Sequence, residues 1–132
     1  MTQMIEVKTT ELIGPALDWA VAQIEGVKTI MMAPRKGEPK KPFALFGSLA
    51  LTIGGEDESS YAPSTCWHCG GPLIADLGKR IGLELRISES SASFMQSGLR
   101  IGYTANDVLV AACRAIVAAK LGDVVSVPAE LI

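Results

Sequence analysis

The chain has 132 residues, 48% of them hydrophobic and 20% charged, with a net charge of −2 at pH 7. That length supports one core rather than two, and the apolar content excludes an intrinsically disordered chain. The slight negative charge argues against a protein held on a nucleic-acid polymer by bulk electrostatics. In chain order, the N-terminal stretch MTQMIEVKTTEL lacks the basic and apolar regions of a secretion signal. The first strong pattern runs from Gly14 to Gly26. Pro15 opens it, Gly26 closes it, and Leu17, Ala20, Val21 and Ile24 recur at helical spacing. A helix is predicted, with Asp18, Ala22 and Glu25 on its other side and Trp19 near the edge of the apolar stripe. Residues 27–33 predict a strand ended by Pro34. RKGEPKKP (35–42) reads as a solvated loop, its bases lacking interleaved aromatics. Alternation from Phe43 to Ile53 predicts a strand bent at Gly47. The acidic loop 54–60 follows, and its Glu56-Asp57-Glu58 run lacks the spacing of a calcium loop.

After an irregular segment from Tyr61 to Pro72, Leu73 to Ile81 predicts a short helix ending near Gly82. Residues 83–87, 92–96 and 99–103 predict strands of an antiparallel meander that turns through Ser97-Gly98. The last long element, Ala105 to Leu121, reads as a helix with a Thr104/Asp107 capping pair and Gly122 as its C-cap. It is apolar nearly all round, so it is either covered on several sides within the chain or part of a subunit interface. The second reading modestly favours a homo-oligomer. Val124 to Val127 predicts a final strand. No apolar run approaches the ~18 residues of a membrane helix, so no membrane partner is expected. Together these elements predict a single α+β domain over residues 1–132. Its antiparallel sheet has about four to six strands, with the N-terminal and C-terminal helices packed against it.

Candidate chemistry is sparse. Three cysteines, an odd number, fit a reducing compartment better than a disulfide scaffold. Cys66-Trp67-His68-Cys69 has the spacing of a redox dithiol or half a zinc site. A turn precedes it, however, and the remaining cysteine, Cys113, lies in the distant helix, so incidental cysteines are the stronger reading. The one histidine lies within this cysteine-rich turn, so no Ser-His-Asp arrangement is justified, and neither a P-loop nor a G-x-G-x-x-G occurs. No catalytic residue, metal or cofactor is therefore expected. What stands out is the concentration of scarce residues in 61–72: Tyr61, Ser64, Thr65, Trp67, Gly70 and Gly71, together with two prolines. Aromatic faces, hydroxyls and exposed backbone suit a planar polar ligand. The plainer reading is an ordered loop whose aromatics cap the core.

Three blocks, residues 9–26, 61–74 and 111–132, together resemble the phage NinX-like family of small accessory proteins. Matching positions include Leu17, Asp18, Trp19, Ala20, Tyr61, Pro63, Ser64, Thr65, Trp67, Gly70, Gly71, Pro72, Lys120, Leu121, Gly122, Val127 and Pro128. Cys66, His68 and Cys69 stand where the family pattern has Asp, Ala and Gln, which weakens the redox and zinc readings. Residues 33–60 have no matching block. The resemblance implies a phage or prophage protein made in the cytoplasm of the bacterial host, and it brings no enzyme activity with it. The layout is also similar to that of phage sponge proteins that sequester nucleotide immune signals. That similarity implies a small nucleotide-like ligand, with Trp19, Tyr61 or Trp67 stacking a base. The expected ligand-binding set is Asp18, Trp19, Tyr61, Ser64, Thr65, Trp67, Gly70 and Gly71. The competing expectation is an adaptor that docks on a host or phage protein through the same loop.

Overall fold

The structure is a computed structural model that describes residues 4–32, 36–37, 41–46, 48–54, 60–96 and 98–131. It is an α+β fold, with the strands divided among three small antiparallel sheets. β1 (Met4–Lys8) pairs with β8 (Val124–Pro128). β2 (Lys28–Met32), β3 (Lys41–Phe46) and β4 (Leu49–Thr52) form the second sheet. β5 (Glu84–Arg86), β6 (Ser91–Gln96) and β7 (Leu99–Thr104) form the third. Two long helices, α1 (Gly14–Glu25) and α4 (Val108–Leu121), pack on each other and on these sheets.

Each sheet covers a different helix face, which is why the strands do not merge into one. Ala92, Phe94 and Tyr103 of the third sheet pack on Ala111, Ala112, Ala115 and Ala118 of α4. Val125 and Val127 of β8 close the central core with Leu17, Val21, Ile116 and Val117. Ala44 of the second sheet meets Ala22 of α1, with Ile53 and Tyr61 alongside. The apolar girth of α4 is thus satisfied within the chain by α1, the third sheet and β8. The same packing corrects the reading of α1. Asp18 and Ala22, assigned to the outer face, are fully buried because the second sheet and the segment after Ser60 cover that side.

Helix boundaries follow local chemistry. Pro15 sits in the first turn of α1, and Gly26 ends it with a left-handed φ of 74°, its N–H reaching back to Ala22 and Gln23. The expected Thr104/Asp107 capping pair is corrected. Thr104 ends β7 and Asp107 is itself the N-cap, its carboxylate accepting from Leu109 N at 2.7 Å. Residues 43–53, expected as one bent strand, are a hairpin in which Phe46 pairs with Leu49, leaving two residues for the turn. Gly47, Ser97 and most of the two charged loops lie outside the described residues. β1 has no counterpart among the sequence expectations, although Ile5 and Val7 alternate with Glu6 and Lys8.

Candidate functional site

The segment from Ser60 is laid against β4 by backbone bonds. Tyr61 N donates to Thr52 O at 2.8 Å and Gly54 N to Tyr61 O at 2.9 Å, forming a parallel bridge between Ile53 and Tyr61. The Thr52 and Ser60 hydroxyls are 2.8 Å apart in a hydrogen bond. A tight turn follows, in which Thr65 N and Cys66 N both donate to Ala62 O. The expectation of an irregular backbone through Pro72 is then overturned. Cys66 is the N-cap of a helix, α2 (Trp67–Leu73), which runs through a π-helical turn (Ile74–Gly78) into α3 (Lys79–Ile81). Gly70, Gly71 and Pro72 lie inside α2 although they are poor helix formers. Tertiary packing overrides propensity, since Leu73 and Leu77 are anchored in the central core. Pro72 lacks the N–H for the helical ladder, and the π turn begins two residues later.

The expected ligand residues fall into separate environments. Asp18 and Ser64 are brought together: Ser64 N donates to Asp18 Oδ1 at 2.8 Å, and both residues are fully buried. Among the described residues, neither Asp18 Oδ2 nor the Ser64 hydroxyl has a partner of hydrogen-bonding geometry. Burial pushes the Asp18 carboxyl from 3.8 up to about 6, offset in part by the adjoining Ser64, whose N–H donates to it. Trp19 is half-buried against the central core and the second-sheet core. Tyr61 is buried, and its hydroxyl donates to Glu25 Oε1. Burial, and then the adjoining Glu25 carboxylate, push its pKa far up. Its ring centroid lies 6.1 Å from that of the partly exposed Phe46.

Trp67 is 52% exposed, and Thr65 is exposed beside it. Gly70 is a packing glycine, since a Cβ there would collide with Pro63 O and with Leu109 Cδ1. Gly71 is half-buried, and a Cβ there would meet nothing within 4 Å. Cys66, Cys69 and Cys113 are free thiols. Among the described residues no group of three His, Cys, Asp or Glu side chains could hold a metal ion. The side chain of His68 lies outside the described set.

Sequence reasoning missed the concave feature of this region. A cleft of about 350 Å³ opens between the C-terminal end of α1 and one face of α2–α3. Ile24 and Glu25 form one wall. Cys69, Pro72, Leu73, Asp76, Leu77 and Arg80 form the other. The second set repeats at helical spacing, so the signal existed once the helix was known to begin at Trp67 rather than at Leu73. None of the eight expected ligand residues lines the cleft directly. Tyr61 reaches it through Glu25, and Cys69 ties it to the same segment by donating to Ser60 O at 3.6 Å. Asp76 and Arg80 form an exposed i,i+4 ion pair at 3.4 Å on the rim.

A family model described as "Bacteriophage P22, NinX" matches residues 8–120, including residues 33–60, which had no matching block in the sequence reading. The chain belongs to that family. No curated protein matches it.

Proposed function

We propose that this NinX-family chain is a non-enzymatic phage accessory protein, working in the host cytoplasm, that binds a small nucleotide-like ligand in the cleft between α1 and α2–α3. The observation that carries this reading is the position of Glu25. It is anchored by the Tyr61 hydroxyl and stands across the cleft from Asp76 and Arg80. The carboxylates accept hydrogen bonds from the N–H edges of a base, and Arg80 offers a fork for a phosphate. The Asp76–Arg80 pair is solvent-exposed and contributes little to stability, so an anionic ligand can exchange for Asp76 at low cost. Ile24, Leu73 and Leu77 supply an apolar surface, and the volume lies at the small end of ligand pockets.

Isothermal titration against linear and cyclic nucleotides and their nucleosides tests this reading. Saturable binding to at least one member is expected, weakened about tenfold or more by Glu25→Gln, the loss expected for a hydrogen bond to a charged group. Silence across the whole panel from folded protein overturns it. The adaptor reading is favoured by a different observation, the exposed indole of Trp67, a residue type enriched at the centres of protein interfaces. Under that reading Trp67→Ala abolishes recovery of one dominant partner from infected-host lysate, while Glu25→Gln leaves it intact.

A further inference from the structure

We infer that Cys66 and Cys69 form a thiol–disulfide couple that closes by exchange with a low-molecular-weight disulfide such as glutathione disulfide. Three observations carry this. Cys66 is the N-cap of α2 and Cys69 lies in the first turn, with Cys69 N donating to Cys66 O at 3.2 Å. Helical spacing of three residues sets their Cα atoms about 5 Å apart, inside the range that a disulfide bridges without backbone movement. Both thiols are partly exposed, whereas Cys113 is sealed in the core. The thiols also differ in their surroundings. Cys69 donates to Ser60 O at 3.6 Å, and burial, with Cys66 alongside, raises its pKa.

The exchange runs in two steps. The Cys66 thiolate attacks one sulfur of glutathione disulfide, forming a mixed disulfide and releasing one glutathione thiolate, which takes up a proton. Cys69 then gives its proton to water and attacks the Cys66 sulfur, releasing the second glutathione. Two protein thiols are oxidised and one disulfide is reduced to two thiols. Glutathione in excess reverses both steps. Closing the ring removes the Cys69 hydrogen bond to Ser60 O and changes one wall of the cleft. The consequence for ligand binding, though not the chemistry of the couple, rests on the function proposed above.

The test equilibrates folded wild-type protein in glutathione buffers of graded redox ratio, blocks free thiols by alkylation and reads the products by mass spectrometry. The expected oxidised species has lost two hydrogen atoms and carries alkyl groups only on Cys113 after unfolding. In the most oxidising buffer, Cys69→Ser is expected to stop at a glutathione adduct on Cys66. Full alkylation of Cys66 and Cys69 in that buffer, or a persistent glutathione adduct on the wild type, overturns the couple. Because the readout is mass, it stands whether or not any nucleotide binds. Nucleotide titration of the reduced and oxidised forms then reports on the cleft separately.

Discussion

Helix α4 and the helical stretch from Trp67 to Ile81 lie against the same core but are built in opposite ways. α4 is mostly aliphatic, with an Asp cap at one end and a Gly cap at the other, and ten of its residues are buried. α2 contains Gly70, Gly71 and Pro72, yields to a π turn, and keeps one face for the cleft and another for an exposed Trp67. The first is stable through its own sequence and its burial. The second is held in shape by what touches it, which leaves its outward side chains free for a ligand or partner.

The sharpest way to separate the two regions is to empty the core of α4. Ile116 is fully buried among α1, β8 and neighbouring residues of its own helix. Ile116→Ala is expected to cost about 2–5 kcal/mol in urea denaturation, through lost transfer energy and the cavity left behind. A loss below about 1 kcal/mol would mean that α4 is not the structural centre described.

Next in size is the buried clasp that joins α1 to the Tyr61–Cys66 segment. Below pH 3.8 the Asp18 carboxyl is protonated in both the folded and unfolded states; between 3.8 and about 6 only the folded state keeps the proton. Its contribution to stability is therefore full below the unfolded value and lost as pH rises through the folded one, about 3 kcal/mol in all. Asp18→Asn retains an acceptor for Ser64 N, so subtracting its pH–stability profile from that of wild type is expected to reveal this slope. A flat difference between pH 4 and pH 7 would show that Asp18 ionises normally.

The smallest expected effect contrasts adjacent glycines of α2. Gly70→Ala places a methyl group 2.6 Å from Leu109 Cδ1 and against Pro63 O, and a loss of about 1–3 kcal/mol is expected from overpacking. Gly71→Ala meets open space and is expected to gain about 0.5–1 kcal/mol from helix propensity. Equal effects at the two positions, read by thermal or urea unfolding, would contradict a helix shaped by contact on one side only.

The same contrast explains what could be read from sequence. α1 was legible because Pro15 and Gly26 punctuate a regular apolar stripe, and the β6–β7 hairpin because alternation resumes after Ser97-Gly98. The β3–β4 hairpin was not, because Gly47-Ser48 interrupts a run whose alternation continues in phase on both sides, so a turn and a bend look alike. The start of α2 was hidden by residues that disfavour helix in isolation, and with it went one wall of the cleft. Helical spacing places Glu25 on the side of α1 away from the apolar stripe. Its place in a cleft depends on Tyr61, 36 residues away, which no local pattern encodes. The spacing of α1 predicts Asp18 on its outer side, but a sheet and a turn from distant sequence enclose it.

The pairing of β1 with β8 has a bearing on how the protein is made. Thr9 Oγ1 donates to Gly122 O across a sequence separation of 113 residues, and the ladder beyond it joins Met4–Lys8 to Val124–Pro128. Contacts this distant close late, because their loop entropy is repaid only after the local hairpins have formed. On a translating ribosome, β1 emerges well before β8, and the elements between them leave the exit tunnel first. Until β8 is made, Ile5 and Val7 lack the strand they pair with, so the growing chain carries an open strand that β8 closes.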